Sequence, residues 1–330
     1  MARSKMIFPA LALLLLAAAL LSRCVGEVPV SPGDILAALL RGERETVGAR
    51  IVLYTRLPRT AAALLSGSAL AVAGAVIQTV LCNPLAAPNI IGVNASAGLA
   101  VAIACAVTPM SAVGTPLIAF AGALTGVLLV LSLSELAGAS RMTTVLAGVA
   151  ASSLFSAAID AVVTLVPDAL SGYSDFRIGG FSGVTPARLG PAAAMILLGL
   201  ALVLSLSQQI NVLSLGAQTA RSLGLSVRPV RLLLLTLAAA MCGAAISFSG
   251  LLGFVGLIVP HMMRRLVGEE SLRLNLACAM GGAALVALCD TLARVLFAPY
   301  ELPVGIVLSF AGVPFFLWLL LKKRGGHASD

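Results

Sequence analysis

The sequence predicts an all-α membrane protein of about ten transmembrane helices, and three observations carry that expectation. Of 330 residues, 60% are hydrophobic and only 10% are charged, with a mean hydropathy of +1.08. Soluble domains carry roughly a quarter charged residues, so these charges are too few to cover a water-facing surface. The apolar residues come in unbroken runs of helical length, unlike the roughly ten-residue alternating strands of a membrane barrel. Glycine is abundant (32 residues) and aromatics are scarce (5%), a composition suited to helices packed through small residues.

The runs fall at 6–24, 59–82, 91–109, 113–134, 142–166, 190–207, 231–249, 251–267, 274–297 and 303–321. Each is long enough, or nearly so, to cross a bilayer. The seventh and eighth are almost continuous and are divided at Ser249-Gly250. Four hydrophilic stretches separate the rest. Residues 25–58 contain Ser31-Pro32-Gly33-Asp34, an N-cap serine followed by a proline at the first helical position, which predicts a short surface helix to about Leu40. Residues 167–189 are too polar and glycine-rich to span. Residues 208–231 hold a short amphipathic stretch that Gly224 should stop. A charged turn follows near 264–271. Residues 1–330 thus read as one transmembrane domain.

Arg3 and Lys5 before the first run resemble a secretory signal, but Arg23 precedes Cys24 where a lipoprotein site needs a small residue. An uncleaved first span is expected. Ten spans put both termini on one side, and Lys322-Lys323-Arg324 makes that side the cytoplasm. Segments 25–58 and 167–189 are then external, and 208–231 is cytoplasmic. Arg41, Arg44, Arg50, Arg56 and Arg59 fall outside, against the usual bias. Either the topology is inverted or these arginines are retained for a task. The net charge of +8 sits at the ends of apolar runs and implies no nucleic-acid partner. The six cysteines lack metal-site spacing and read as small core residues.

Arg56-Leu57-Pro58-Arg59 and Arg228-Pro229-Val230-Arg231 each open an apolar helix, five spans apart and so of opposite direction. That pattern suggests an inverted repeat. Lysine occurs only at 5, 322 and 323, so no GxxxxGK phosphate loop exists; with His261 and His327 alone, HExxH is impossible. Catalytic residues and bound cofactors or metals are therefore not expected. Pro260-His261 reads as a helix-terminating element. Ionisable groups that a proton-driven carrier would need are few: Asp160, Asp290, Arg294 and Glu135, all near helix ends. Asp290 and Arg294 stand i,i+4 and can pair. Gly67, Ala71, Gly74 and Gln78 share one helix face, either as a packing stripe or as the wall of a translocation path.

A series of motifs runs in order along the chain. RLPRTAAALLSGSALAVAGAVIQTVLCNPLAAPNIIGVNASAG covers 56–98, followed by LAGVA at 146–150, GGFSGVTP at 179–186 and LSLGAQTARSLGL at 213–225. GFVGLIVPHMMRRLVG lies at 253–268, and ARVLFAPYELPVGIVLSFAGVPFFLWLLL closes at 293–321. Together these resemble the FecCD-like permeases of type II ABC importers for iron-siderophores, haem and vitamin B12. The resemblance implies a permease of a bacterial inner-membrane importer. It implies pairing with a second permease subunit in a homodimer, two cytoplasmic ATPase subunits that hold ATP and magnesium, and an external binding protein. It implies an ATPase-coupling role for Leu215, Gly216, Ala220, Arg221, Leu223 and Gly224, and binding-protein docking by Arg56, Arg59 and Arg294. Local pairing of these arginines with Glu43, Glu45 or Asp290 is the alternative. Phe176-Arg177-Ile178 stands where such permeases often have tryptophan, and Arg141, Met142, Thr143 and Thr144 occupy the gate region, so no gate residue is carried over. A ferric siderophore is the first expectation for substrate, then haem, then a corrinoid; the alternative function is a stand-alone secondary transporter.

Overall fold

Each of the ten predicted runs finds its helix in the computed structural model, which describes residues 2–26, 46–108, 114–138 and 140–324. The helix expected after Ser31, with Arg41, Glu43, Arg44 and Glu45, lies outside the described residues. The elements are α1 (Ala2–Cys24), α2 (Leu57–Val80), α3 (Val93–Val107), α4 (Gly114–Leu136), α5 (Arg141–Leu165), α6 (Ala169–Ile178), α7 (Pro186–Ser205), α8 (Ser207–Ser214), α9 (Ala217–Ser222), α10 (Val227–Ser249), α11 (Val255–Val267), α12 (Ser271–Val295) and α13 (Val304–Arg324). A short helix, Val47–Ile51, and a π-helical turn, Val52–Arg56, lead into α2. No strand occurs among the described residues.

α2 is the axis of the bundle. It packs most extensively against α12 and α10, then α11, and it can do so because its facing residues are nearly all Ala, Gly, Ser and Val. A Cβ on Gly67 would sit 2.2 Å from Gly282 O, and one on Gly74 would sit 2.0 Å from Gly256 O. No side chain fits there, so the helices meet backbone to backbone. Without a hydrophobic drive inside lipid, such close approach is what holds spans together. α10 packs on α4 less closely, with Gly243 facing the side chains of Ala123 and Phe120. In an inverted repeat of two five-span halves, as Arg56–Arg59 and Arg228–Arg231 suggest, the pair α10–α4 would be the counterpart of the pair α2–α12.

The division at Ser249-Gly250 holds. α10 ends at Gly250 (φ +65°), α11 starts after Phe254, and the stretch between is not helical. Its polar backbone is satisfied by the last turn of α6 and the loop after it: Leu251 N–H donates to Phe176 O (3.0 Å), and Gly180 N–H donates to Ser249 O (2.8 Å). Unwound backbone at membrane depth persists only where protein supplies such partners. α11 has 13 residues, about 20 Å of rise, so the unwound stretch completes its crossing. Pro260 does not end a helix as expected. It lies inside α11, which runs on to Val267 and stops at Gly268; His261 instead stacks edge-on against Phe315 of α13. Cys242, Cys278 and Cys289 are buried as expected, whereas Cys82 is exposed in a turn.

Candidate functional site

Three regions answer the sequence expectations. The first is the segment between α7 and α10. α7 and α8 bend by 58° at Leu206, so α8 turns away from the bundle axis while Ile210 and Leu213 stay buried. Gly216 adopts φ +102° to open α9. α9 ends in a Schellman turn: Leu225 N–H donates to Ala220 O (3.0 Å) and Gly224 N–H to Arg221 O (2.9 Å), with Gly224 at φ +83°. The six expected residues divide by this geometry. Ala220 is fully buried and anchors α9, Gly216 and Gly224 make its turns, and Leu215 (60% exposed), Arg221 and Leu223 (62%) face outward. Leu215 and Leu223 thus expose apolar side chains on either side of the six-residue helix that carries Arg221.

The second region corrects an expectation. Arg56, Arg59 and Arg294 do come together, but they do not stand exposed for docking. They are 4%, 8% and 3% exposed, and each points into the chain. The Arg59 guanidinium donates from Nε and Nη2 to Asp290 (3.0–3.1 Å) and from Nη1 to Glu301 (2.7 Å). Arg294 pairs with Asp290 Oδ2 (3.3 Å) and donates to Ser22 O and Val25 O, each at 2.9 Å. Arg56 donates to Arg23 O (2.7 Å) and Cys24 O (3.1 Å). The cause is the end of α1, whose last carbonyls have no partner within the helix. Two guanidiniums take them, and Asp290, fully buried, holds the charge. The pairing with Asp290 that the i,i+4 spacing offered is the arrangement found; Glu301 was missed because it lies beyond a turn from Arg294.

The third region is the expected path. Gly67, Ala71, Gly74 and Gln78 are buried in the α2 contacts with α11 and α12. Gln78 donates to Gly256 O (3.2 Å) and accepts from Arg264. The stripe is closed by neighbouring backbone, so it lines no path within this chain. A different stripe is open. α5 is the least buried of the long spans beside α1, and Ser152, Ser156, Asp160 and Thr164 follow one another at i,i+4 steps along it. Ser156, Asp160 and Thr164 are exposed. An exposed carboxylate on a spanning helix is costly against lipid and belongs against protein or water. Elsewhere on the chain, a groove of about 570 Å³ runs between the end of α6 (Arg177, Ile178) and α13 (Gly305, Ser309, Val313). The i,i+4 spacing was legible in the sequence; what hid it was the small-residue stripe of α2, which looked similar and proved to be packing.

Comparison with known proteins matches this arrangement. The FecCD transport family model covers residues 14–322. The hemin transport system permease protein HmuU of Yersinia pestis is 38% identical over 281 residues, 83% of this chain and 84% of that protein. The vitamin B12 import system permease protein BtuC of Salmonella paratyphi A is 39% identical over 317 residues (95% and 94%). The Fe(3+) dicitrate permease FecD of Escherichia coli K12 is 36% identical over 307 residues (93% and 95%). Among solved structures, an inward-facing metal-chelate type ABC transporter superposes with a TM-score of 0.86 at 30% identity, over 96% of this chain and 99% of that one. The chain belongs to the FecCD transport family, the membrane-spanning permease subunits of ATP-binding-cassette importers.

Proposed function

We propose that this permease carries an iron complex, a ferric siderophore or citrate first and haem next, with a corrinoid third, across a bacterial cytoplasmic membrane. The relatives' names span these chelates, and what the three share is size and a metal held by an organic cage. The 330 residues act as one domain with both termini in the cytoplasm. It binds no cofactor of its own; ATP and magnesium belong to partner ATPases that seat on Leu215, Arg221 and Leu223.

The observation that carries the reading is the exposed Ser156–Asp160–Thr164 face of α5. A polar face on a spanning helix needs cover. A second copy of the chain, related by a two-fold axis, supplies it and leaves a polar path between the two α5 helices. Docking of the binding protein then falls to the outward residues of the same end, Asp175, Arg177 and Tyr300, which are exposed. Cysteine at Ser156, in a Cys82→Ser background, tests this: the reading expects a reducible bifunctional thiol reagent to join two copies and block uptake, with reductant restoring it. A protein whose copies the reagent does not join, with uptake intact, removes it. The substrate follows from the ligand that copurifies with the cognate binding protein.

A further inference from the structure

We propose that Asn211 is the positioning residue through which movement of the 207–224 segment reaches α12. The inference rests on the reading of that segment as the ATPase seat and adds the link by which the seat acts. α12 begins at Ser271, and its first N–H groups have no partners within the helix. Glu270 serves two of them, accepting from Leu272 and Arg273 N–H at 3.1 Å each. The Ser271 N–H is served from elsewhere: it donates to Asn211 Oδ1 at 2.8 Å, across 60 residues of sequence. Among the described residues this is the one side-chain hydrogen bond joining 207–222 to a helix distant in sequence; Ser207, Ser214 and Ser222 bond within their own turns.

The surroundings make the bond a mechanical one. Ile210 and Leu213, on either side of Asn211, are buried, and α8 lies against both α2 and α12. Ser271 is itself buried, so its N–H cannot turn to water when the amide withdraws, and losing the partner leaves a desolvated donor. α12 is one unbroken helix of 25 residues, roughly 36 Å long. Its far end carries Asp290 and Arg294, bound into the cluster that holds the end of α1 and the start of α2. Displacement applied at Ser271 is therefore carried to the opposite end of the bundle by a stiff element fixed at both ends.

Substitution separates this role from packing. Asn211→Asp keeps the acceptor, and its charge is favourable beside a helix N-terminus; Asn211→Leu keeps the size and loses the acceptor, with Asn211→Ala as the substitute where the leucine variant does not fold. The test uses the complete transporter, with ATPase subunits and binding protein, in nanodiscs. Spin labels at Gln218→Cys and Arg273→Cys, in a Cys82→Ser background, report the distance between α9 and the start of α12 with and without trapped ATP. We expect the distance to be unchanged by ATP when Asn211 is present, because the two move together. It shifts or splits with ATP in Asn211→Leu and is restored in Asn211→Asp. Binding-protein stimulation of ATP hydrolysis should fall about five-fold or more in Asn211→Leu, the low end of usual site-to-site coupling, with the ATPases still bound. A locked distance and full stimulation in Asn211→Leu, an aspartate variant that behaves like leucine, or release of the ATPases each overturns the proposal. Leu215→Glu with Leu223→Glu tests the seat separately: if the ATPases still copurify, the seat reading fails whatever Asn211 does.

Discussion

Asp290→Asn should unfold this protein far more readily than a surface charge change would. The carboxylate is fully buried and takes three donor contacts from Arg59 across both oxygens within 3.1 Å, with Arg294 beside Oδ2 at 3.3 Å. An asparagine leaves two buried guanidiniums with Glu301 as their remaining described carboxylate, and Glu301 reaches Arg59 only. Removing one member of a buried ion pair costs about 3–5 kcal/mol, or roughly two to three and a half powers of ten in the folding equilibrium. An exposed pair would lose only about 0–1 kcal/mol. The readout is denaturant unfolding of the purified permease in mixed micelles, run beside Arg59→Met and the double variant Arg59→Met with Asp290→Leu. The double variant should recover much of the loss, because no unpaired charge is left inside. A loss for Asp290→Asn within about 1 kcal/mol, or one that adds fully to Arg59→Met, refutes the buried-cluster reasoning. Weakened docking of the binding protein at unchanged stability would return these arginines to the surface role.

Other outcomes follow from the same geometry. Gly74→Val should fail to give a monodisperse permease in size-exclusion chromatography, because its Cβ would lie 2.0 Å from Gly256 O and that atom is backbone; Ala69→Gly, on the same helix, should be tolerated within about 1 kcal/mol. Asp160→Asn should leave folding intact and lower uptake, measured as initial rate in proteoliposomes, and unchanged uptake would remove Asp160 from the path. Cysteine probes at Ser174 and Gly183 should label from outside, and probes at Gln218 and Ser222 only after permeabilisation. The reverse pattern means the chain is inserted the other way round.

The spans were legible because each is a long apolar run, whereas the break at Gly250 was faint, because the apolar signal runs almost unbroken through it and only the φ of +65° and the unwound stretch that follows make it plain. The end of α9 at Gly224 was legible, since a positive φ after a short helix favours glycine. What the sequence hid were contacts set by three dimensions. Arg56, Arg59 and Arg294 stood on the side where positive charge is unusual, and a partner protein was the natural explanation. Their true partners are carbonyls of α1 and a carboxylate 231 residues from Arg59, which no local pattern reveals. Gly67 and Gly74 were correctly grouped on one face, but only the position of Gly282 and Gly256 decides that the face is packed. Pro260 misled because a proline in mid-helix usually ends it; in α11 the carbonyl it leaves without a helical donor, Gly256 O, accepts from Gln78 Nε2, and the helix continues.

Transport through this chain should be driven by ATPase subunits seated on the α8–α9 segment. The most direct measurement is uptake into proteoliposomes holding the permease with or without its ATPases. Ferric dicitrate, haemin and cyanocobalamin are offered in turn, each with the binding protein outside and ATP with magnesium inside. At least one of the three should accumulate, only when ATPase and ATP are both present, with accumulation abolished by Leu215→Glu with Leu223→Glu and indifferent to a proton gradient. Accumulation by the permease alone under a proton gradient, unaffected by those two substitutions, would contradict it.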